Sequence, residues 1–369
     1  MSAATDDIGG GLQASPDSVL TVRTMYGFLK SLGNPRGLTR TLGDFTLCGS
    51  HTGNSAAVFE VRTGDGRHLM LKCYMRPKEH LREIYGSRLL ERELYLFTDG
   101  GGEWVDVVAD EWVEGTTLSR VIAAAAAAGD SGRLGLLAGR FDGLARGMLA
   151  RDWAHGDLKP DNIIVTADMQ LRLIDFDAVY LPSLRRFGSR ELGTAAWQHP
   201  SRTRADYDRH LDDYPVAMIS TVLHALAAEP SLMERYAGAD ELLLDPAAIA
   251  GGRCAALDYI ERMFAKRCMA VRYRIARLLR SRAYVLPQLA EYMSYDDAGS
   301  VPCGDGVPEL DVRNGLWGYS CGGRLVVPPL FDSATEFRDG CAVATLGGEE
   351  HRLTTAAGEV KIGPQGVDN

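Results

Sequence analysis

Four side chains between positions 155 and 177 could do chemistry that packing does not call for. The stretch reads HGDLKPDNIIVTADMQLRLIDFD and carries Asp157, Lys159, Asn162 and Asp175. The apolar run 163–165 and the alternating Leu171 and Leu173 predict two short strands, joined by a turn around Ala167-Asp168. A hairpin of that size returns the chain on itself, so Asn162 and Asp175 come together at its open end. Carboxylate, amide and ammonium groups converging at a strand edge suit a magnesium ion and phosphate oxygens. The cation receives hard oxygen ligands and the anion a fixed positive charge. The plainer alternative is a hairpin whose polar residues only cap turns.

The elements that must position this hairpin are legible on both sides of it. Residues 1–18 are acidic and Gly/Ser-rich and read as a mobile tail, followed by a short helix over 21–32. From Leu42 the chain turns strand-like, with a small-residue turn at Gly49, Ser50, Gly53, Asn54 and Ser55, then an Asp65-Gly66 turn into a strand over 69–74. Lys72 lies between apolar residues of that strand; either it faces solvent or its ammonium has a partner, because burying it alone is costly. A helix is predicted over 77–88, strands over 93–97 and 104–109, and an Asp99–Gly102 turn between them. Helices follow through the Ala-rich 123–128 and through Leu137, Phe141, Leu144 and Met148. A further helix follows Asp212-Asp213, and residues 231–296 read as helical. There Arg272, Arg274, Arg277, Arg280 and Arg282 form a basic run that reads as a solvated helix face.

Composition narrows the class. A chain of 369 residues can bury a substantial core and suits two domains. Its net charge of -9 argues against a general nucleic-acid binder. Seven scattered cysteines without CxxC spacing read as free thiols in a reducing cytoplasm. No run approaches the length of a membrane span and the start is no signal peptide, so no membrane association is expected.

HGDLKPDN followed by DFD resembles the catalytic loop and metal-binding triplet of eukaryotic-like Ser/Thr protein kinases. The resemblance covers about residues 40–290. It implies an α+β, bilobal fold with a β-rich small lobe (19–115) and a larger helical lobe (116–298), using ATP and Mg2+. Asp157 would be the catalytic base, Lys159 would touch the transferred phosphate, and Asn162 and Asp175 would hold the metal. Lys72 matches the strand lysine that meets the α- and β-phosphates, with Glu83 its first-choice partner and Glu91 or Glu93 the alternatives. The turn at Gly49, Ser50, Gly53 and Asn54 would cover the phosphates, although it does not follow G-x-G-x-x-G. Main-chain groups of Glu111 and Val113 would read the adenine, with Asp110 beside them. Thr194 would contact the catalytic aspartate, and Asp212, with Asp213 second, would accept hydrogen bonds from the catalytic-loop backbone. The alternative for that aspartate is a plain N-cap. Ser183, Ser189 and Thr194 lie where loop phosphorylation occurs in such enzymes.

Three departures from the pattern stand out. Gly156 replaces an Arg, which implies activity without loop phosphorylation. Asp177 replaces the Gly of the triplet. Gln198-His199-Pro200 replaces A-P-E, so a structural ion pair is lost. Beyond a linker near 297–300, Trp317-Gly318-Tyr319 with the following Gly323–Pro329 and Phe331-Asp332 resembles a WG repeat, and a weaker copy starts at His351-Arg352. That resemblance implies a small β interaction module over 299–369 with a protein partner, its Trp317 and Tyr319 in the core. The expected activity is phosphoryl transfer to a protein Ser or Thr hydroxyl. A small-molecule kinase of the aminoglycoside- or choline-kinase-like type and an ATP-binding pseudokinase scaffold are the alternatives.

Overall fold

In the computed structural model, residues 39–52, 56–74, 78–98, 101–189, 191–237, 243–295, 300–303, 306–356 and 358–364 are described. The expected tail, the helix over 21–32, Gly53, Asn54, Ser55, Asp99, Gly100 and the linker residues 297–299 lie outside them. The chain divides between Glu114 and Gly115 into two compact units. It is a mixed α and β protein. Among the described residues no helix is long and apolar enough to cross a membrane.

The first unit is an antiparallel sheet of β1 (Phe45–Thr52), β2 (Ala56–Thr63), β3 (His68–Tyr74), β4 (Leu89–Thr98) and β5 (Gly101–Glu111). Its spatial order is β1-β2-β3-β5-β4. Period-two alternation puts Phe59, Val61, Leu71 and Cys73 into one core with Leu94 and Val107. Burial in that core pushes the Cys73 thiol up to about 12, so it stays protonated and inert. Gly49 and Ser50 are not in a turn. They pair within β1 against Glu60 and Phe59 of β2.

The helix expected over 77–88 is much shorter, α1 (Leu81–Tyr85). His80 at φ 64° precedes it and Gly86 at φ 56° ends it, and these left-handed residues confine the helix to a little over one turn. A 3-10 turn (Gly86–Arg88) leads from there straight into β4.

The second unit opens with β6 (Thr116–Thr117), α2 (Leu118–Ala127) and α3 (Ser131–Leu149). The hairpin β7 (Ile163–Val165) and β8 (Leu171–Leu173) follows, then α4 (Asp213–Ala228), α5 (Leu232–Tyr236), α6 (Pro246–Ala250), α7 (Ala255–Lys266), α8 (Ala270–Leu278) and α9 (Leu289–Ser294). Leu134, Leu137, Phe141 and Met148 line one face of α3 against Val216, Ile219 and Leu223 of α4.

After α9 the chain is all β. Its strands are β9 (Ser300–Pro302), β10 (Glu309–Arg313), β11 (Leu316–Cys321), β12 (Arg324–Phe331), β13 (Ser333–Ala334), β14 (Cys341–Leu346), β15 (Glu349–Ala356) and β16 (Glu359–Pro364). They make a three-stranded sheet β10-β11-β12 and a five-stranded sheet β13-β14-β15-β16-β9. Tyr319 is fully buried, and its hydroxyl donates to the Thr335 carbonyl at 2.7 Å. Gly318 has no alternative: a Cβ there would lie 2.3 Å from the Val327 carbonyl oxygen. Val326, Leu330, Ala344 and Leu353 share one core with the helices.

Two expectations change here. Cys303 and Cys321 are joined by a disulfide, their Cα atoms 5.7 Å apart, which ties the end of β9 to β11. Cys48, Cys73, Cys254 and Cys341 remain free. The basic run is a solvated face only at Arg277 and Arg282. Arg272 pairs with buried Asp142 of α3 at 2.7 Å. Arg274 holds the Leu330 carbonyl and Asp332, each at 2.7 Å. Arg280 binds Asp258 and Glu261 of α7.

Candidate active site

The hairpin forms as its pattern predicts, with Ile163 opposite Leu173 and Val165 opposite Leu171. At its open end the Ile174 N–H donates to the Asn162 carbonyl at 3.0 Å, which places Asp175 next to Asn162. Asp175 stands at φ 64°, ψ 68°, a left-handed conformation that Asp tolerates better than most residues. Phe176–Ala178 then form a 3-10 turn. Asp177 has no positive φ, so this backbone places no demand for glycine at that position. The turn is held by rings: Phe176 lies 5.1 Å from His155 and 6.2 Å from Trp153. His155 Nε2 donates to the Ile174 carbonyl at 2.9 Å, tying the loop before the hairpin to the strand after it.

The Asp157 carboxylate is partly buried and surrounded by donors. The Thr194 N–H donates to its Oδ1 at 2.6 Å. Lys159 Nζ lies 3.4 Å from its Oδ2 and donates to Thr194 Oγ1 at 2.8 Å. Asn162 Nδ2 donates to the Asp157 carbonyl at 2.8 Å and reaches its Oδ2 at 3.3 Å. Spending the amide nitrogen this way leaves Asn162 Oδ1 as the atom free to meet a cation. An amide oxygen and the carboxylate of a residue close along the backbone are hard-oxygen donors, the type that magnesium takes while keeping several waters. The residues present therefore fit that metal.

Asp212 anchors the loop from below. Its carboxylate accepts the N–H groups of His155 (2.5 Å) and Gly156 (2.9 Å), and it makes no side-chain cap on α4. The N-cap alternative is thus not what this side chain does. Burial pushes its carboxyl up, while the His155 ring, the two N–H donors and Arg202 pull the other way. Asp213 has different work: it accepts from the Leu286 N–H at 2.9 Å and faces His210 Nδ1 at 3.1 Å. Burial raises its carboxyl to about 6.

Gly156 stands at φ 79°, and a Cβ there would lie 2.1 Å from the Ala178 carbonyl oxygen. No arginine fits that backbone. A guanidinium nonetheless reaches the loop from elsewhere in the chain, because Arg202 Nη1 donates to the Gly156 carbonyl at 2.8 Å. Sequence reasoning missed Arg202, and with it the bond that Gln198 makes to it, since nothing local marks that arginine. Among the described residues the Gln198-His199-Pro200 segment is held by hydrogen bonds and not by an ion pair. His199 accepts the Ser201 N–H on Nδ1 and donates to the Ser281 carbonyl through Nε2, and burial lowers its pKa. Ser189, one of the expected phosphorylation positions, is buried, with its hydroxyl donating to the Glu191 carbonyl.

The remaining expected residues sit in the first unit. Lys72 is 6% exposed, so the solvent-face alternative does not hold. It stands opposite Val58 and Val108 on the neighbouring strands, with its ammonium 5.4 Å from the Tyr74 ring. Glu83 is half-exposed, 3.4 Å from His80 Nδ1. Glu91 pairs with Arg82 on the surface. Glu93 is fully buried and accepts the N–H groups of Arg40, Thr41 and Leu42, which gives it a structural task. Glu111 ends β5 opposite Leu69, and Val113 follows just outside the strand. Asp110 is paired with Arg88 at 2.6 Å, which accounts for an acid at that position. Comparison of the chain with models of known protein families and with curated proteins finds no match.

Proposed function

We propose that this chain is an ATP- and magnesium-dependent phosphotransferase of the eukaryotic-like Ser/Thr protein kinase type, with a Ser or Thr hydroxyl of a protein as acceptor. One observation carries the reading. The Asp157 carboxylate is oriented by Thr194, Lys159 and Asn162, which leaves the Asn162 amide oxygen without a task in that network. In such a reaction little covalent chemistry falls to the protein; positioning and charge neutralisation do most of the work. Asp157 orients the acceptor hydroxyl and takes its proton. Lys159, already bonded to Thr194, places a positive charge beside that carboxylate. Bound magnesium would neutralise charge on the phosphates, held by Asn162 and Asp175. The roles of Lys72 with the α- and β-phosphates, of Glu83 as its partner, and of Glu111 and Val113 with adenine rest on the resemblance. So do the WG-repeat reading of the β region and its protein partner.

Asp157→Asn should abolish transfer from γ-labelled ATP to myelin basic protein or to the chain itself, with nucleotide binding nearly intact. Equal activity in that variant refutes the base. Asp175→Asn should remove most of the thermal shift caused by Mg-ATP, and an unchanged shift refutes its metal role. Labelling of small hydroxyl compounds but not of proteins moves the acceptor to the small-molecule class. Nucleotide binding with no transfer at all points to a pseudokinase.

A further inference from the structure

Arg202 is 8% exposed, and it grips the loop at the carbonyl that precedes Asp157. Its Nη1 is shared between the Gly156 carbonyl and Gln198 Oε1 at 2.5 Å. Gln198 is itself buried and follows the 3-10 turn Ala195–Trp197, which begins at Thr194. Thr194 in turn donates its N–H to Asp157. The contacts close a ring: Gly156 carbonyl, Arg202, Gln198, the turn, Thr194, and back to the Asp157 carboxylate. Gly193 marks how tightly that ring is drawn. A Cβ there would lie 2.7 Å from the Gly156 carbonyl oxygen, 3.0 Å from Asp157 Oδ1 and 3.0 Å from Gln198 Nε2.

We propose that Arg202 is a positioning residue for the reaction, clamping the Gly156–Asp157 peptide so that the Asp157 carboxylate keeps one orientation toward an acceptor hydroxyl. The proposal rests on the phosphoryl-transfer reading. Asp212 holds the N–H groups of His155 and Gly156, and Arg202 holds the Gly156 carbonyl, so opposite charges grip successive peptides of the loop on either side of Gly156. Burial works against the guanidinium, and the charges of Asp212 and Asp157 offset it. Nε and Nη2 of Arg202 meet no partner among the described residues. A buried arginine using part of its donor set is a poor stabiliser compared with an apolar residue of similar size. Its place beside Asp157 supplies the reason for keeping it.

Three variants test the clamp with two readouts. In Arg202→Met, kcat for transfer from γ-labelled ATP to myelin basic protein should fall at least about 30-fold, the scale of a misplaced reacting group. KM for ATP should stay within about twofold. Arg202→Lys should recover part of kcat, and Gln198→Ala should lose less than Arg202→Met. A residue that only stabilises the fold would lower the thermal midpoint without this split between kcat and KM. Hydrogen exchange in residues 154–158 should quicken at least about tenfold in Arg202→Met, with that of 216–226 unchanged. If the wild-type chain transfers no phosphate, the functional reading falls and exchange alone decides the clamp. If Arg202→Met does not fold, the other two variants carry both readouts. Unchanged kcat together with unchanged loop exchange overturns the proposal.

Discussion

At Gly156 the backbone leaves no room for any side chain, and this accounts for a departure that looked regulatory in the sequence. A left-handed φ combined with a 2.1 Å approach to Ala178 predicts that Gly156→Ala destabilises the chain by about 2–4 kcal/mol. Urea unfolding measures it, and a loss below about 1 kcal/mol contradicts the geometry. Asp157, Lys159, Asn162 and Asp175 were legible as candidates because four polar residues in a fixed order flank an unmistakable two-strand pattern. Arg202 was not, because its contact with Gly156 depends on a turn that no periodicity announces. Lys72 was ambiguous for a different reason. Alternation says which residues share a face of a strand, but not whether that face is covered.

The loop owes its shape to elements remote in sequence. Asp212, at the head of α4, supplies acceptors to two N–H groups that belong to no helix or strand. Asp212→Ala leaves both donors buried without a partner and should cost about 2–4 kcal/mol together with most of the transfer activity. Asp212→Asn, which keeps one acceptor, should lose less. Equal stability of Asp212→Ala and wild type in chemical unfolding would show that the two bonds contribute nothing. At this scale the sequence located the long helices well, since α3 and α4 are strongly periodic. It overextended α1, because only the backbone reveals His80 and Gly86 as left-handed stops. It also took Arg272 and Arg274 of α8 for part of a solvated face. Arg272 sits among apolar neighbours because Asp142, held also by Ser220 and His224, waits inside. Burial pushes the Asp142 carboxyl up, but His224, Arg272 and Ser220 together hold it below the usual carboxylate range.

Across the whole molecule, the β strands after residue 299 share one core with the helices before them, so pH sensitivity in one is felt by both. His351 is 1% exposed, and burial lowers its pKa, opposed by the Ala265 backbone and Glu349. The unfolded chain takes a proton on this ring near the ordinary histidine value while the folded chain resists it. Stability is therefore present in full above that value and is lost as pH falls through it. His351→Phe should remove this dependence. The difference in thermal midpoint should move in the variant's favour as pH drops from about 7.5 to about 5.5, and a constant difference would contradict it. Of the two residues that the WG-like spacing assigned to the core, Tyr319 is fully buried and Trp317 is half-buried against the same core. That spacing could not reveal the disulfide, because the meeting of Cys303 and Cys321 depends on how a strand folds back.

Gly347 has a Cβ position only 2.9 Å from Ala265 and 3.0 Å from the Tyr273 ring, and Arg274 reaches out to Asp332, which also accepts the Gly347 N–H. That seam decides where the polypeptide tolerates scissors. A fragment ending at Tyr295 would strip an oily window on α7 and α8 bare to water, and on a sizing column it should clump or melt without a sharp transition. A monodisperse fragment with an unaltered melting curve would mean the strands are passengers. Otherwise they are as much a wall of the house as the helices they lean on.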